Sequence, residues 1–102
     1  MTTDKTGAPT TVTQESDHFA IAVEGRQVGK AEFIDRDGRR TFTHTEVDKD
    51  FEGRGLASIL VGEALQATRE AGLRIVPECE MVAGYVRKHT EFADIVDQPT
   101  NS

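Results

Sequence analysis

The chain has 102 residues, a formal net charge of −6 and a single cysteine. That length makes one domain, and the acidic balance argues against a nucleic-acid partner, which needs a basic patch. Cys79 cannot close an internal disulfide, and a lone cysteine fits a reducing, cytoplasmic setting.

Residues 1–16 are rich in Thr, Ser and Gly without an apolar pattern and read as a disordered tail. Residues 98–102 read the same way, leaving a folded domain over 17–97. No stretch approaches the roughly 20 apolar residues of a membrane helix, and no signal-peptide segment opens the chain, so no membrane partner is expected. His18, His44 and His89 lie far apart with no cysteine at zinc-site spacing, so no metal is expected either.

Within 17–97, His18 to Glu24 alternates, with Phe19, Ile21 and Val23 on one face, and predicts a half-buried strand. Gly25-Arg26 suits a type II′ hairpin. Gln27 to Ile34 is then the returning strand. Asp35-Arg36-Asp37-Gly38 is a turn in which Gly38 takes positive φ. Arg39 to Val47 is a third strand, whose alternation puts Phe42, His44 and Glu46 on one face and Thr41, Thr43, Thr45 and Val47 on the other.

Asp48 to Gly53 connects into a helix over Arg54 to Ala71, with an apolar stripe through Leu56, Leu60, Ala64, Ala67 and Ala71. Gly72 ends it. Leu73 to Val76 is a short strand, parallel to the third through a right-handed crossover. Glu80 to His89 is a second helix with Met81, Val82, Tyr85 and Val86 on its apolar face, and His89 as its C-terminal cap. Glu91 to Val96 is a last helical turn. The expected order is β-β-β-α-β-α: an α/β (α+β) domain with a mixed, mostly antiparallel four-stranded sheet and helices packed on it.

The stretch Asp50-Phe51-Glu52-Gly53-Arg54-Gly55-Leu56-Ala57 sets two glycines at a helix start. Such a turn is often no more than a helix entry. It also gathers backbone N–H groups, the positive end of a helix dipole and little side-chain bulk, which is how a phosphate is held. Lys49 and Arg54 are the nearest cations. Glu46 is either a solvated strand-end carboxylate or a general base, with His44 two residues away as a relay partner or a plain surface pair. Cys79 is either a small buried residue or a thiol activated by the following helix, an effect that Glu78 and Glu80 oppose.

Glu52, Gly55 and Ala57 form a Glu-x-x-Gly-x-Ala pattern that resembles the pyrophosphate signature of GNAT-type N-acetyltransferases, Gln/Arg-x-x-Gly-x-Gly/Ala. With His44-Thr45-Glu46-Val47 before it, and Pro77-Glu78-Cys79 and Val82 to Val96 after it, the chain resembles the minimal, single-domain GNAT-like subfamily from Phe19 to Val96. The resemblance implies a truncated GNAT fold that binds acetyl-CoA or coenzyme A. Its donor would lie on Val47, Glu52, Gly53, Arg54, Gly55, Leu56, Ala57 and Ser58, held mainly by backbone. Cys79 would sit near the thioester as acyl acceptor or pocket wall, and Glu46 with His44 would serve the incoming amine. Tyr85 matches a tyrosine that larger members use to protonate the leaving thiolate, and is more simply core here. Two departures stand out: Glu52 replaces Gln or Arg, and Glu80-Met81 replaces a Pro-aromatic pair.

The function implied is acetyl transfer to an unidentified amine. An open site suits a protein or peptide amine better than an enclosed metabolite. The alternatives are a non-catalytic CoA-binding module and a small interaction protein, in each case a monomer or weak homodimer.

Overall fold

A computed structural model describes residues 2–3 and 7–97. The sheet runs in chain order: β1 (Thr2–Thr3), β2 (Pro9–Gln14), β3 (His18–Val23), β4 (Arg26–Arg36), β5 (Arg39–Val47) and β6 (Arg74–Pro77). All pairs are antiparallel except β5 with β6, which is parallel. Helix α1 (Leu56–Glu70) makes the crossover, and α2 (Glu80–Lys88) and a 3₁₀ segment (Thr90–Ile95) follow β6. The expected β-β-β-α-β-α order and mixed sheet are therefore present, with five strands of four residues or more instead of four.

The added strand is β2, inside the stretch expected to be a disordered tail. Its Thr10-Thr11-Val12-Thr13 run is β-branched throughout, and Thr10 is buried opposite Val23. A threonine-rich strand reads as polar by composition, yet Thr10 and Val12 turn toward the core while Thr11 and Thr13 stay exposed. Residues 1, 4–6 and 98–102 lie outside the described residues.

Both hairpins of the meander close on two residues of positive φ, Glu24-Gly25 and Asp37-Gly38. Positive φ at both positions is the type I′ signature, and it corrects the expected Gly25-Arg26 turn: Arg26 is already paired with Val23. The core lies between one sheet face and α1. Phe19, Phe33 and Phe42 pack ring on ring against Leu56, Leu60, Val61, Ala64 and Leu65. Arg40 is buried over the Phe33 ring and donates two hydrogen bonds to Asp35.

One expectation about faces fails for a physical reason. Glu32 pairs with His44, but Phe33 pairs with Phe42, so Thr43 is an extra residue on β5. This bulge shifts the alternation. Arg40 and Phe42 are buried, then Thr45 and Val47 carry on along the half-buried side while His44 and Glu46 turn outward.

The last described residues close the far side of the sheet. Val96 bridges to Ile75, and the Asp97 N–H donates to the Ile75 carbonyl. Arg39 Nε and Arg74 Nε each donate to the Asp97 carboxylate at 2.8 Å. These bonds, Arg39's first, hold the Asp97 carboxyl below its ordinary 3.8. A pKa lowered on folding stabilises the protein above the unfolded value, and the gain is lost as pH falls through the folded value. The melting-temperature deficit of Asp97→Asn should therefore be largest near neutrality and shrink below about pH 4. A deficit independent of pH would contradict this.

Candidate active site

β5 is longer than its parallel partner. Pairing with β6 ends at Phe42 with Pro77, and the Cys79 N–H adds one more bond to the Phe42 carbonyl at 2.9 Å. Beyond that point the two strands part, and β5 continues from Thr43 to Val47 with only β4 beside it. The Glu46 carbonyl faces Gly29 of β4, and the Asp48 N–H bonds the Val28 carbonyl. Because main-chain groups alternate in direction along a strand, Thr45 and Val47 turn theirs toward the opening.

The opening leads to a cleft of about 310 Å³, lined by Val47, Phe51, Glu52, Gly53, Gly55, Leu56, Ala57, Ser58 and Met81. Gly53 and Gly55 both adopt left-handed backbone, at φ of +81° and +78°, where a side chain is strained. Gly55 is the N-cap of α1, and its carbonyl takes the first helical bond, from the Ile59 N–H. The N–H groups of Leu56, Ala57 and Ser58 thus precede any intrahelical partner. The expected helix start at Arg54 moves two residues on, because left-handed Gly55 cannot belong to the helix. Glu52 is exposed and extended at the cleft's edge.

Cationic charge arrives from an unexpected direction. The Arg54 guanidinium lies 4.9 Å from the centroid of the Phe51 ring, and that of Arg26 lies 5.6 Å from it. Arg26 sits on β4, far from the turn in sequence, and only the fold brings it here. Lys49 falls in the 3₁₀ turn Lys49–Phe51 beside them. Such pairs offset locally the negative field of the whole chain.

The expected catalytic residues fall into two groups. Cys79 is half-buried at the N-cap of α2, with Sγ 3.2 Å from Thr45 Oγ1. His44 Nε2 and Glu46 Oε2 lie 3.7 Å apart on the outer face, with Lys30 Nζ also 3.7 Å from Glu46. β5 itself separates the groups. Tyr85 belongs to neither: its ring stacks on His89 with centroids 3.9 Å apart, and its hydroxyl lies over Gly62 of α1. Burial, and then the charge of Glu91, raises its pKa.

The residues fit a coenzyme A pyrophosphate. Unpaired helix amides, two left-handed glycines, slim Ala57 and Ser58, and nearby guanidinium groups form a cradle for an anion. The exposed main chain of Thr45 and Val47 offers strand-like partners to an amide-bearing arm.

A sequence profile described as GCN5-related N-acetyl-transferase matches residues 18–95. The chain belongs to this family. Members bind acetyl-CoA as acetyl donor. No curated protein sequence matches the chain. Among solved structures, it is similar to a GCN5-like protein of Staphylococcus aureus, determined by NMR, with a TM-score of 0.67 at 19% identity over 89% of this chain and 91% of that one. It also resembles the ribosomal-protein-alanine N-acetyltransferase of Brucella melitensis biovar Abortus 2308, with a TM-score of 0.55 at 20% identity over 87% of this chain and 68% of the other. The PaiA N-acetyltransferase of Thermoplasma acidophilum, crystallised with coenzyme A, gives 0.53 at 10% identity over 72% of this chain and 48% of that one. At these identities the likeness carries the fold. Among the described residues, no helix is long and apolar enough to cross a membrane.

Proposed function

We propose that this GNAT domain binds acetyl-CoA in the β5–α1 cleft and transfers its acetyl group to a primary amine, on a protein or peptide. The observation that carries the reading is the parting of β5 from β6 beyond Phe42, with Cys79 against Thr45 at one end of the freed β5 segment and Val47 at the other, lining the cleft with the double-glycine turn. The thioester supplies an acyl group activated toward amines. Gly53 to Ser58 hold the pyrophosphate by main-chain N–H groups, and the edge of β5 orients the arm behind it. Glu46, across β5 from Cys79, takes the proton lost by the attacking amine through water, with His44 beside it as relay. Cys79, in contact with the Thr45 hydroxyl, bounds the thioester end or receives the acyl group itself.

The same geometry favours a second reading, a CoA-binding module without turnover, because β5 stands between Glu46 and Cys79. Calorimetry with acetyl-CoA, followed by turnover assays over a panel of amines and peptides, separates the two. The expected result is binding together with release of free thiol in the presence of at least one amine. Binding without turnover supports the module. No binding at millimolar acetyl-CoA sinks both readings. Intact mass after incubation with acetyl-CoA tests Cys79: a +42 Da adduct, about the mass of an acetyl group in place of hydrogen, that persists in Cys79→Ala excludes this residue as acceptor.

A further inference from the structure

The two ends of the sheet differ. Beyond β6, Val96 and Asp97 cover the edge at Ile75. Beyond β2, β1 covers only Pro9 and Thr10. The Glu24 N–H bonds the Pro9 carbonyl and the Glu15 N–H bonds the His18 carbonyl, and main-chain groups alternate in direction along an antiparallel strand. Thr11 and Thr13 therefore turn their N–H and C=O groups to β3. Val12 and Gln14 turn theirs outward, where no strand among the described residues meets them. The run Thr10-Thr11-Val12-Thr13-Gln14 carries none of the charges or prolines that guard an edge.

The same edge borders a groove. A hollow of about 240 Å³ lies between β2 and α1, with Val12 and Phe19 as its apolar floor, Gln14 at the edge and Glu63, Gln66 and Glu70 as the α1 wall. Glu63 and Glu70 are exposed, and no cation among the described residues lies within ion-pair distance of either. Arg69, next to Glu70, is committed to Asp94 and the Glu91 carbonyl.

We infer that this edge and groove bind an extended, lysine- or arginine-bearing segment of another protein, which adds to β2 as a strand. The site shares no lining residue with the coenzyme cleft, and the inference stands without it.

Two observations choose the occupant. The outward groups of Val12 and Gln14 call for an extended main chain, whose side chains alternate between the groove and the opposite face. Glu63 and Glu70 lie about 10 Å apart along α1, and alternate residues of a strand lie about 7 Å apart, a difference that two long basic side chains of one segment span. A second copy of this chain fits worse. A two-fold pairing of β2 with β2 lays α1 beside α1 and brings the carboxylates of both walls together, in a chain whose net charge is already −6.

The test is fluorescence anisotropy of the full chain with labelled hexapeptides: one alternating Lys and Val, one alternating Glu and Val, and the Lys–Val peptide N-methylated at every amide, which keeps its charge and loses its donors. The wild type should bind the first at least about tenfold more tightly than the other two, the scale of a charge-assisted bond. Glu63→Lys/Glu70→Lys should reverse the preference and take the Glu–Val peptide, a gain that loss of fold cannot produce. Glu78→Lys/Glu91→Lys changes the net charge equally at exposed positions and should leave the preference as it is. A reversal there would mean attraction to bulk charge and overturns the proposal. So does equal binding of the two Lys–Val peptides, or no binding at millimolar peptide. A wild-type dimer in sedimentation that Val12→Pro dissociates, by removing an outward N–H, would put a second copy on the edge and overturns it too.

Discussion

Gly29→Ala is expected to destabilise the fold by about 1–3 kcal/mol and to weaken acetyl-CoA binding at the same stroke. A Cβ at residue 29 would stand 2.8 Å from the Glu46 carbonyl oxygen, 3.0 Å from Ile21 Cγ2 and 3.2 Å from Val47 Cγ2. The first obstacle is main chain and cannot rotate aside. Gly29 pairs directly with Val47, so relief comes only from pushing the end of β5 away from β4. That end carries Val47 and leads into the double-glycine turn. Denaturant unfolding reads the stability, and calorimetry well below the unfolding midpoint reads the affinity. A wild-type midpoint would show that β4 and β5 do not approach so closely.

Gly55→Glu should abolish measurable acetyl-CoA binding, whereas Gly55→Ala should weaken it only in part. Both substitutions place a side chain on a residue at φ +78°, so both bear the left-handed strain of about 1–2 kcal/mol. Only glutamate also sets a carboxylate among the amides of Leu56, Ala57 and Ser58, where a second anion must then bind. Comparing the two separates backbone strain from occupation of the anion site. Equal affinity of the two variants would mean that the phosphates lie elsewhere.

Much of this architecture is legible in the order of residues. The alternation of Phe19, Ile21 and Val23 marks β3, and the stripe from Leu56 through Ala64 marks the buried side of α1, because both patterns are local consequences of strand and helix geometry. The turn at Gly53 and Gly55 is legible for the same reason, since positive φ is a demand on single residues. What escapes is set by pairing. The Thr43 bulge exists only because β4 and β5 are unequal across it, and it decides that Glu46 faces away from Cys79. Arg26 reaches Phe51 only through the β3–β4 hairpin. β2 is hidden by its own chemistry, because threonine counts as polar in composition and as β-branched in a sheet.

The bond network at Asp97 bears on behaviour beyond the single molecule. The far side of β6 is a sheet edge, and an open edge is a template for another chain. Here Val96 and the Asp97 N–H cover it at Ile75, and Pro77 removes a donor from its end. The Asp97 carboxylate, gripped by Arg39 and Arg74, is the latch on that cover. Acid therefore loosens a guard on a sheet edge as well as an ion-pair network: protonating the Asp97 carboxyl weakens the side-chain hold on the segment that covers β6.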